Sequence, residues 1–254
     1  MFVALPYIYN NRFMLRRIFT LLFGLLFSVA GFAQGSEKEI LALEKWRAAE
    51  YVTKESVELF GVERAFRVEP ISDQIFGRMK GKSYKDNCTI PREELRYLKI
   101  LHYDAEGRIR LGELVCHNSV GEDLLQIFRK LYEAKYPIEK MVLVDEYGAS
   151  DDLSMRDNNS SAFNFRFIVG SSNVLSAHSR GVAIDINPLY NPYVKVRNGK
   201  TIIEPQTAQK YVDRKAEFDY KIVAGDLLCR LMKEYGFEWG GDWRTLKDYQ
   251  HFEK

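Results

Sequence analysis

Cysteine is scarce in this sequence, and its spacing does not suggest a cysteine-based metal site. The 254 residues include three cysteines, Cys88, Cys116 and Cys229, and no Cys-x-x-Cys pair. The lack of such a pair argues against the common cysteine zinc sites, and an odd count leaves at least one thiol unpaired. Whether Cys88 and Cys116 form a disulfide stays open at this point. Cys229 lies in the apolar stretch DLLCRLM and is expected to be a core thiol.

An excess of charge of one sign is also lacking. There are 37 Lys and Arg against 35 Asp and Glu, a formal net charge of +2, with no long run of either sign. This balance indicates no nucleic-acid partner. Hydrophobic residues make up 46% and aromatic residues 13% of the chain, enough for a large core, which excludes disorder of the whole chain. The length suits one domain plus some extra sequence.

The apolar run near the N-terminus is short for a membrane span. It covers 18–30, whereas a spanning helix needs about 20 residues. Because it follows two arginines and precedes small residues, it has the three parts of a secretory signal peptide. We therefore predict that 1–33 is a signal peptide with its true start at Met14, and that the mature protein is periplasmic or secreted without stable membrane insertion. An uncleaved N-terminal anchor is the alternative.

Helix and strand patterns are intermixed after this leader. Hairpin signals, above all Asn198-Gly199, imply antiparallel pairing. We predict an α+β fold, a single domain with a central antiparallel sheet flanked by helices. Helical spacing covers 36–52, 121–137 and 220–236, and strand patterns cover 95–117 (as two strands), 141–147, 181–187 and 193–204.

The chain is expected to divide near residue 70. The prediction is an N-terminal helical extension at 34–69, outside the main domain, followed by one domain at 70–254. The role of the extension stays open between a packed helix, a spacer and a partner contact.

Two of the four histidines lie in sequence stretches of unusual composition. In SAHSRGVAIDINP (176–188), His178 precedes a strand pattern that places Asp185 between two isoleucines. Burying a carboxylate there is costly unless a partner such as a divalent cation neutralises it. His251 lies in the aromatic C-terminal stretch DYQHFEK, which such composition predicts to be docked. Two imidazoles and a carboxylate form the ligand set of a catalytic zinc site with a fourth position open for water.

Such a site also needs a carboxylate that takes a proton from water and passes it to the leaving amine. Asp248, three residues before the last histidine, is the candidate. Residues i and i+3 of an extended strand face opposite ways, so a turn or bulge must intervene. The alternatives are that Asp185 pairs with Arg180 and that Asp248 caps a turn. His102 and His117, in the hairpin region, are expected to be structural.

Three stretches carry a family resemblance. SAHSRGVAIDI resembles the S-x-H-x-x-G-x-A-x-D-[ILF] signature of the M15 zinc peptidases, which include D-alanyl-D-alanine carboxypeptidases, the dipeptidases of vancomycin resistance and phage L-alanyl-D-glutamate endopeptidases. GFEWGGDW followed by DYQHFE resembles their closing block. SMRDNNSSAFNFRFIVGSSNVLSAHSRG is similar to the version in the subgroup with the phage endopeptidases. The resemblance covers roughly 70–254 and implies a hedgehog/DD-peptidase-like fold.

The resemblance implies a role for each matching residue. His178, Asp185 and His251 match the zinc ligands, and Asp248 matches the catalytic carboxylate. Many members carry glutamate at that position, and the shorter aspartate requires its water to sit closer.

The family also places an arginine upstream of the first histidine, where it holds substrate or the developing oxyanion. Arg156 and Arg166 both fall in the matching segment, and arginine suits either task because its planar fork binds carboxylates and stays charged. Arg156 is favoured because its segment resembles a loop, whereas Arg166 is also a candidate ion-pair partner. Ser161 and Ser176 are candidate substrate-binding or supporting hydrogen bonders.

Taken together, these features predict a zinc peptidase that acts on peptidoglycan stem peptides. The bond that is cut stays open between carboxypeptidase and endopeptidase cleavage. The alternative function is a catalytically inert wall-binding module that retains zinc. The oligomeric state cannot be predicted from these patterns.

Overall fold

The structure is a computed structural model that describes residues 36–167 and 174–254. The predicted signal peptide at 1–33 lies outside the described residues and stays a prediction. Within the two described ranges, no helix has both the length and the apolar character that crossing a membrane requires.

A four-stranded antiparallel sheet forms the largest part of the fold. It contains β1 (Tyr51–Val52), β2 (Arg67–Pro70), β3 (Leu95–Tyr103) and β4 (Ile109–His117), in the order β1-β4-β3-β2. The hairpin predicted at 95–117 is confirmed, since β3 and β4 pair along their full length, from Leu95 opposite His117 to Tyr103 opposite Ile109. Gly107, at φ 74°, closes the turn by donating its backbone N–H to the Asp104 carbonyl.

The longest helix covers this sheet. Helix α4 (Asn118–Glu133) buries the apolar face that its spacing predicted, Leu124, Ile127, Phe128 and Leu131. It is preceded by α1 at 36–45, α2 (Lys54–Phe60) and α3 (Asp73–Met79). Thr53 and Ser72 cap α2 and α3 by accepting backbone N–H groups three residues on.

The described part of the N-terminal extension packs into the same core. Leu43, Trp46 and Val57 are buried there, and the Trp46 indole N–H donates to the Gly112 carbonyl of β4 at 2.9 Å. The helix predicted over 36–52 is too long, because the chain leaves it at Trp46, at φ 48°, and continues into β1. The boundary predicted near residue 70 falls at the end of β2, a strand of the main sheet.

Two small antiparallel sheets form the other part of the fold. One has the order β5-β10-β8 and the other β7-β6-β9. Helix α5 (Asp151–Arg156) precedes them, and α6 (Leu227–Glu234) lies between their strands in sequence. The strands are β5 (Ala183–Asp185), β6 (Tyr193–Arg197), β7 (Lys200–Glu204), β8 (Glu238–Trp239), β9 (Lys247–Asp248) and β10 (His251–Glu253). The hairpin predicted at Asn198-Gly199 is confirmed, with both residues at positive φ.

Two predicted elements are corrected. The strand predicted at 141–147 is absent, and Val144–Tyr147 forms a 3-10 turn instead. Polar side chains replace a strand partner there, since Asn159 Oδ1 accepts the Val142 N–H at 2.8 Å. The helix predicted at 220–236 begins at Leu227, because the Asp226 carboxylate caps it by accepting the Cys229 N–H at 2.8 Å.

The fold is therefore a mixed α+β single domain with antiparallel sheets, as predicted. The three cysteines are free, so Cys88 and Cys116 form no disulfide. Cys229 is buried in the core as expected, as is Cys116.

Candidate metal centre

Three side chains that are far apart in sequence meet at the small sheets. The Nδ1 of His251 lies 3.0 Å from Asp185 Oδ1 and 3.2 Å from His178 Nε2. The other oxygen, Asp185 Oδ2, lies 3.3 Å from His178 Nε2. One donor atom from each residue thus lies within 4.8 Å of the others. The structure brings together the three residues that the sequence predicted as metal ligands.

Strand register and one glycine produce this meeting. Asp185 of β5 pairs directly with His251 of β10, so their side chains share a face. His178 begins a 3-10 turn that ends at Gly181, whose φ of 70° turns the chain into β5. A Cβ at Gly181 would lie 2.7 Å from the backbone nitrogen of His117. This close approach explains why the position needs glycine.

Each histidine is oriented by a hydrogen bond on its outer nitrogen. The Nδ1–H of His178 donates to the Ala162 carbonyl at 2.7 Å, which leaves Nε2 as the inward acceptor. The Nε2–H of His251 donates to Glu253 at 3.1 Å, which leaves Nδ1 inward. Metal-binding histidines generally have such a partner on the second nitrogen. The donor set therefore fits a single divalent cation such as zinc.

Sequence analysis missed Glu253. It lies two residues after His251 in β10, so its side chain shares a strand face with the histidine. This period-two spacing was the signal that could have identified it.

The electrostatics of the metal-free cluster are dominated by its charged pairs. Burial alone would raise the pKa of Asp185, but the two imidazoles outweigh it and hold that pKa well below its usual range. Burial would likewise lower the pKa of His251, but the Asp185 and Glu253 carboxylates outweigh it and raise the pKa to about 10. Without a cation, His251 therefore carries a proton, which a bound metal ion would displace.

Asp248 lies beside this cluster with a free acceptor atom. Its Oδ1 is buried and has no hydrogen-bond donor among the described residues. Burial raises the pKa of Asp248 to about 7, although the charge of His251 acts in the opposite direction and that of Asp185 adds to the rise. The chain bends at 249–250, between β9 and β10, which supplies the turn that convergence with His251 requires.

The WGGDW stretch supports the bend that carries these residues. A Cβ at Gly240 would lie 2.6 Å from the Asp248 carbonyl oxygen, so the backbone can approach there because the residue is glycine. The Trp239 ring covers Gly241, and its indole N–H donates to the Tyr249 carbonyl at 2.9 Å. The Trp243 ring lies 5.4 Å from that of His251. The motif thus positions the last histidine and Asp248 from behind.

The two candidate arginines are both engaged in ion pairs. Arg156, in the last turn of α5, pairs with Asp152 one turn earlier at 2.9 Å. Arg166 pairs with Asp151, whose carboxylate also accepts the Asn164 side-chain N–H at 2.7 Å. Neither arginine contacts the three metal-binding candidates through an ion pair. Their roles toward substrate stay predictions.

The two candidate serines lie next to the ligands in the chain or sheet. Ser161 and Asp185 exchange backbone hydrogen bonds at 3.1 and 2.9 Å. Ser176 is buried, and its hydroxyl accepts the Ser179 N–H in the turn that presents His178. Both contacts position ligands, and direct binding of substrate by either serine stays a prediction.

The fold and the cluster together define an α+β protein with a candidate single-ion metal site built from two imidazoles and one carboxylate. Comparison with known families agrees with this. Residues 169–254 match the peptidase M15 model described as D-alanyl-D-alanine carboxypeptidase. The match contains in full two of the three stretches that carry the resemblance, and it supports an M15 family peptidase. No solved structure matches the chain.

Proposed function

We propose that this protein is an exported zinc peptidase that hydrolyses an amide bond in peptidoglycan stem peptides. The observation that carries the proposal is the convergence of His178, Asp185 and His251, with an unpaired carboxylate oxygen of Asp248 beside them. The family match supports a peptidase that acts on peptidoglycan in general. The N-terminal signal pattern supports export, because this substrate lies outside the cytoplasm.

The chain's own residues would hold the metal ion, and their hydrogen bonds orient the two imidazole rings towards it. Asp185 supplies the negative charge, and the outer hydrogen bonds of His178 and His251 fix which imidazole nitrogen faces inward. A zinc ion held there would polarise the amide carbonyl and lower the pKa of a water molecule to about 7. An arginine upstream of His178, Arg156 or Arg166, would stabilise negative charge on the substrate or on the developing oxyanion.

Asp248 would move the proton. Its carboxylate accepts the proton of the attacking water and then delivers it to the departing amine, so that the amide C–N bond breaks and a C–O bond forms. Burial raises the pKa of Asp248, which makes this carboxylate a better proton acceptor than an exposed aspartate.

The test is cleavage of purified stem peptides by the metal-loaded protein, followed by mass spectrometry. Loss of one terminal alanine would indicate a carboxypeptidase, and release at the L-alanine–D-glutamate bond would indicate an endopeptidase. Asp248→Asn should retain the metal and lose about 1,000-fold in rate. Cleavage by Asp248→Asn at the normal rate would disprove the mechanism.

A matched control is Asp219→Asn, which removes a carboxylate from an exposed position. It should leave both metal content and rate unchanged. The alternative function, an inert wall-binding module, predicts instead that the wild-type protein binds stem peptides at equilibrium and releases no product. The presence of Asp248 favours the enzyme, because an inert module has no use for a proton acceptor at this point.

A further inference from the structure

The hairpin beside the candidate metal centre takes no part in the proposed mechanism. We define the arm as residues 193–204, which contain β6, the Asn198-Gly199 turn and β7. Its strand β6 pairs with β9, the strand that carries Asp248. The arm is therefore a direct extension of the sheet that presents the proton-accepting carboxylate.

The register places one face of the arm on the Asp248 side. Tyr193 lies directly opposite both Asp248 and Glu204, and residues opposite each other across antiparallel strands share a face. Burial raises the pKa of Tyr193, and the charges of Glu204 and Asp248 add to the rise, which agrees with this placement. Because side chains alternate along a strand, Lys195 and Arg197 lie on the same face as Tyr193.

This face is cationic. Arg197 pairs across the hairpin with Lys200, so three positive side chains, those of Lys195, Arg197 and Lys200, follow one another along the Asp248 side of the arm. None of them makes an ion pair or side-chain hydrogen bond within the described residues, and Arg197 and Lys200 are exposed. The exposed carboxylate of Glu204 is the sole acidic side chain of the arm, so the arm has a net positive charge.

The opposite face of the arm is turned towards the protein at its base. Ile203 is on that face and is buried against Ala208 and Tyr211. The base of the arm is thus anchored, whereas Arg197 and Lys200 near its tip are exposed to solvent and Lys195 is half-buried. Arg197 lies about 13 Å along the strand from Tyr193, which is the length of about four extended residues of a bound peptide.

We propose that this cationic face binds the carboxylates of the stem peptide beyond the bond that is cut, and so selects acidic peptide substrates. The inference rests on the proposed function. Its basis is charge complementarity. A stem peptide carries carboxylates on its D-glutamate residue and at its C-terminus, and the three cations have no ion-pair partner in the part of the chain that the structure describes. A substrate lying along the arm would place its scissile amide near Asp248 and its carboxylates over Lys195, Arg197 and Lys200.

The test compares two synthetic stem peptides that differ in whether the carboxylates beyond the cleaved bond are free or amidated. The triple variant Lys195→Gln, Arg197→Gln, Lys200→Gln should raise KM for the free-carboxylate peptide about tenfold and leave kcat within twofold. For the amidated peptide, wild type and variant should have equal KM. Added salt should raise the wild-type KM for the free-carboxylate peptide alone.

The control variant is Lys38→Gln, Lys45→Gln, Lys54→Gln, which removes three exposed lysines from the N-terminal segment and changes net charge equally. It should leave KM unchanged for both peptides. A thermal melt of each variant, together with the single variant Arg197→Gln, separates loss of binding from loss of folding. An unchanged KM in the folded triple variant would overturn the inference, even if that variant lost affinity for insoluble peptidoglycan.

Failure of the proposed function would give a result different from failure of the inference about the arm. It would appear as wild-type protein that cleaves neither peptide. In that case, calorimetric binding of the free-carboxylate peptide by the wild type, weakened about tenfold in the triple variant, would still support the arm as a carboxylate-binding surface. Equal binding by both proteins would overturn it.

Discussion

The two parts of the molecule are built on different principles. The main sheet has two nine-residue strands, and buried apolar side chains such as Leu98, Ile100 and Leu101 fill its core. The strands of the two small sheets have two to five residues. Sheets of such short strands are marginal on their own, so the main sheet supplies stability and the small sheets carry the candidate metal centre.

Polar side chains provide much of the order around the small sheets. Asn187, at φ 48° just after β5, accepts the Glu139 N–H at 3.0 Å and donates to the Pro137 carbonyl at 3.0 Å. Asn191 similarly donates to the Tyr220 carbonyl at 2.8 Å. These bonds tie the segment between β5 and β6 to its surroundings. The conformation of this region depends on individual hydrogen bonds, whereas the stability of the main sheet comes from many apolar contacts.

The largest expected effect is a loss of stability from a substitution in the core beneath the main sheet. Phe128 of α4 is 1% exposed in the core, and Phe128→Ala should lower the free energy of unfolding by about 3–5 kcal/mol through lost burial and a cavity. Urea denaturation measures it. Leu59→Ala, at a position 74% exposed, is the control and should change stability by less than about 0.5 kcal/mol. Equal losses in the two variants would contradict the core assignment.

The next prediction concerns the small sheets, where we expect a substitution to lower activity more than stability. Gly240→Ala would place a Cβ 2.8 Å from the Asp248 Cβ and 2.6 Å from its carbonyl oxygen, so the carboxylate must move. We expect kcat to fall about 100-fold, equivalent to about 2.7 kcal/mol of barrier, because small displacements of a proton acceptor are costly. Kinetics on a stem peptide and a urea titration of the same variant separate the two effects.

The control for this variant is Gly77→Ala in α3, where an added Cβ meets nothing within 4 Å. It should preserve kcat and stabilise the helix by about 0.5–1 kcal/mol. If Gly240→Ala kept full activity, the WGGDW stretch would not be positioning Asp248 as described.

The same division explains what could be predicted from the sequence. The long hairpin at 95–117 and the apolar face of α4 follow from periodic patterns that one strand or helix carries by itself. The three metal-binding candidates were predicted because a sequence motif contains them, and their contact depends on the pairing of Asp185 with His251 across 66 residues. The strand prediction at 141–147 was wrong because the side chain of Asn159, which is distant in sequence, accepts a backbone N–H of this stretch. No local pattern contains that contact.

The third prediction concerns a buried titratable group in the main sheet. His102 of β3 is 2% exposed, and its Nδ1–H donates to the Ile138 carbonyl at 2.7 Å. Burial lowers the pKa of His102 to about 4 from its ordinary 6.5. Its contribution to stability is therefore complete above pH 6.5 and is lost as pH falls toward 4, by about 2 kcal/mol at pH 5.

The measurement is the free energy of unfolding at pH 7 and pH 5 for wild type and His102→Asn. Asparagine keeps a donor for Ile138 but does not titrate, so the variant should lose less stability between the two pH values. The other carboxylates and the metal-binding cluster titrate in both proteins and cancel in the comparison. Parallel pH profiles would show that His102 is not the group responsible.

The smallest expected effect tests how the small sheets orient a ligand. Glu253→Ala removes the acceptor for the Nε2–H of His251, so the ring is no longer held with Nδ1 inward, and zinc affinity should fall about tenfold. Competition with a chelator measures it without any substrate. Glu253→Gln retains an acceptor oxygen and should recover most of the affinity.

The control for this test is Glu238→Ala. Glu238 lies directly opposite Glu253 across β8 and β10, so its removal takes away a neighbouring negative charge but no hydrogen bond to His251. If affinity followed the local charge alone, Glu238→Ala and Glu253→Gln would weaken zinc binding as much as Glu253→Ala does. If zinc affinity depends instead on the orientation of the His251 ring, Glu253→Ala should weaken binding more than either of the other two variants. Like charges opposite each other disfavour sheet pairing, so this sheet keeps an acceptor for His251 at a cost in stability, which the main sheet offsets.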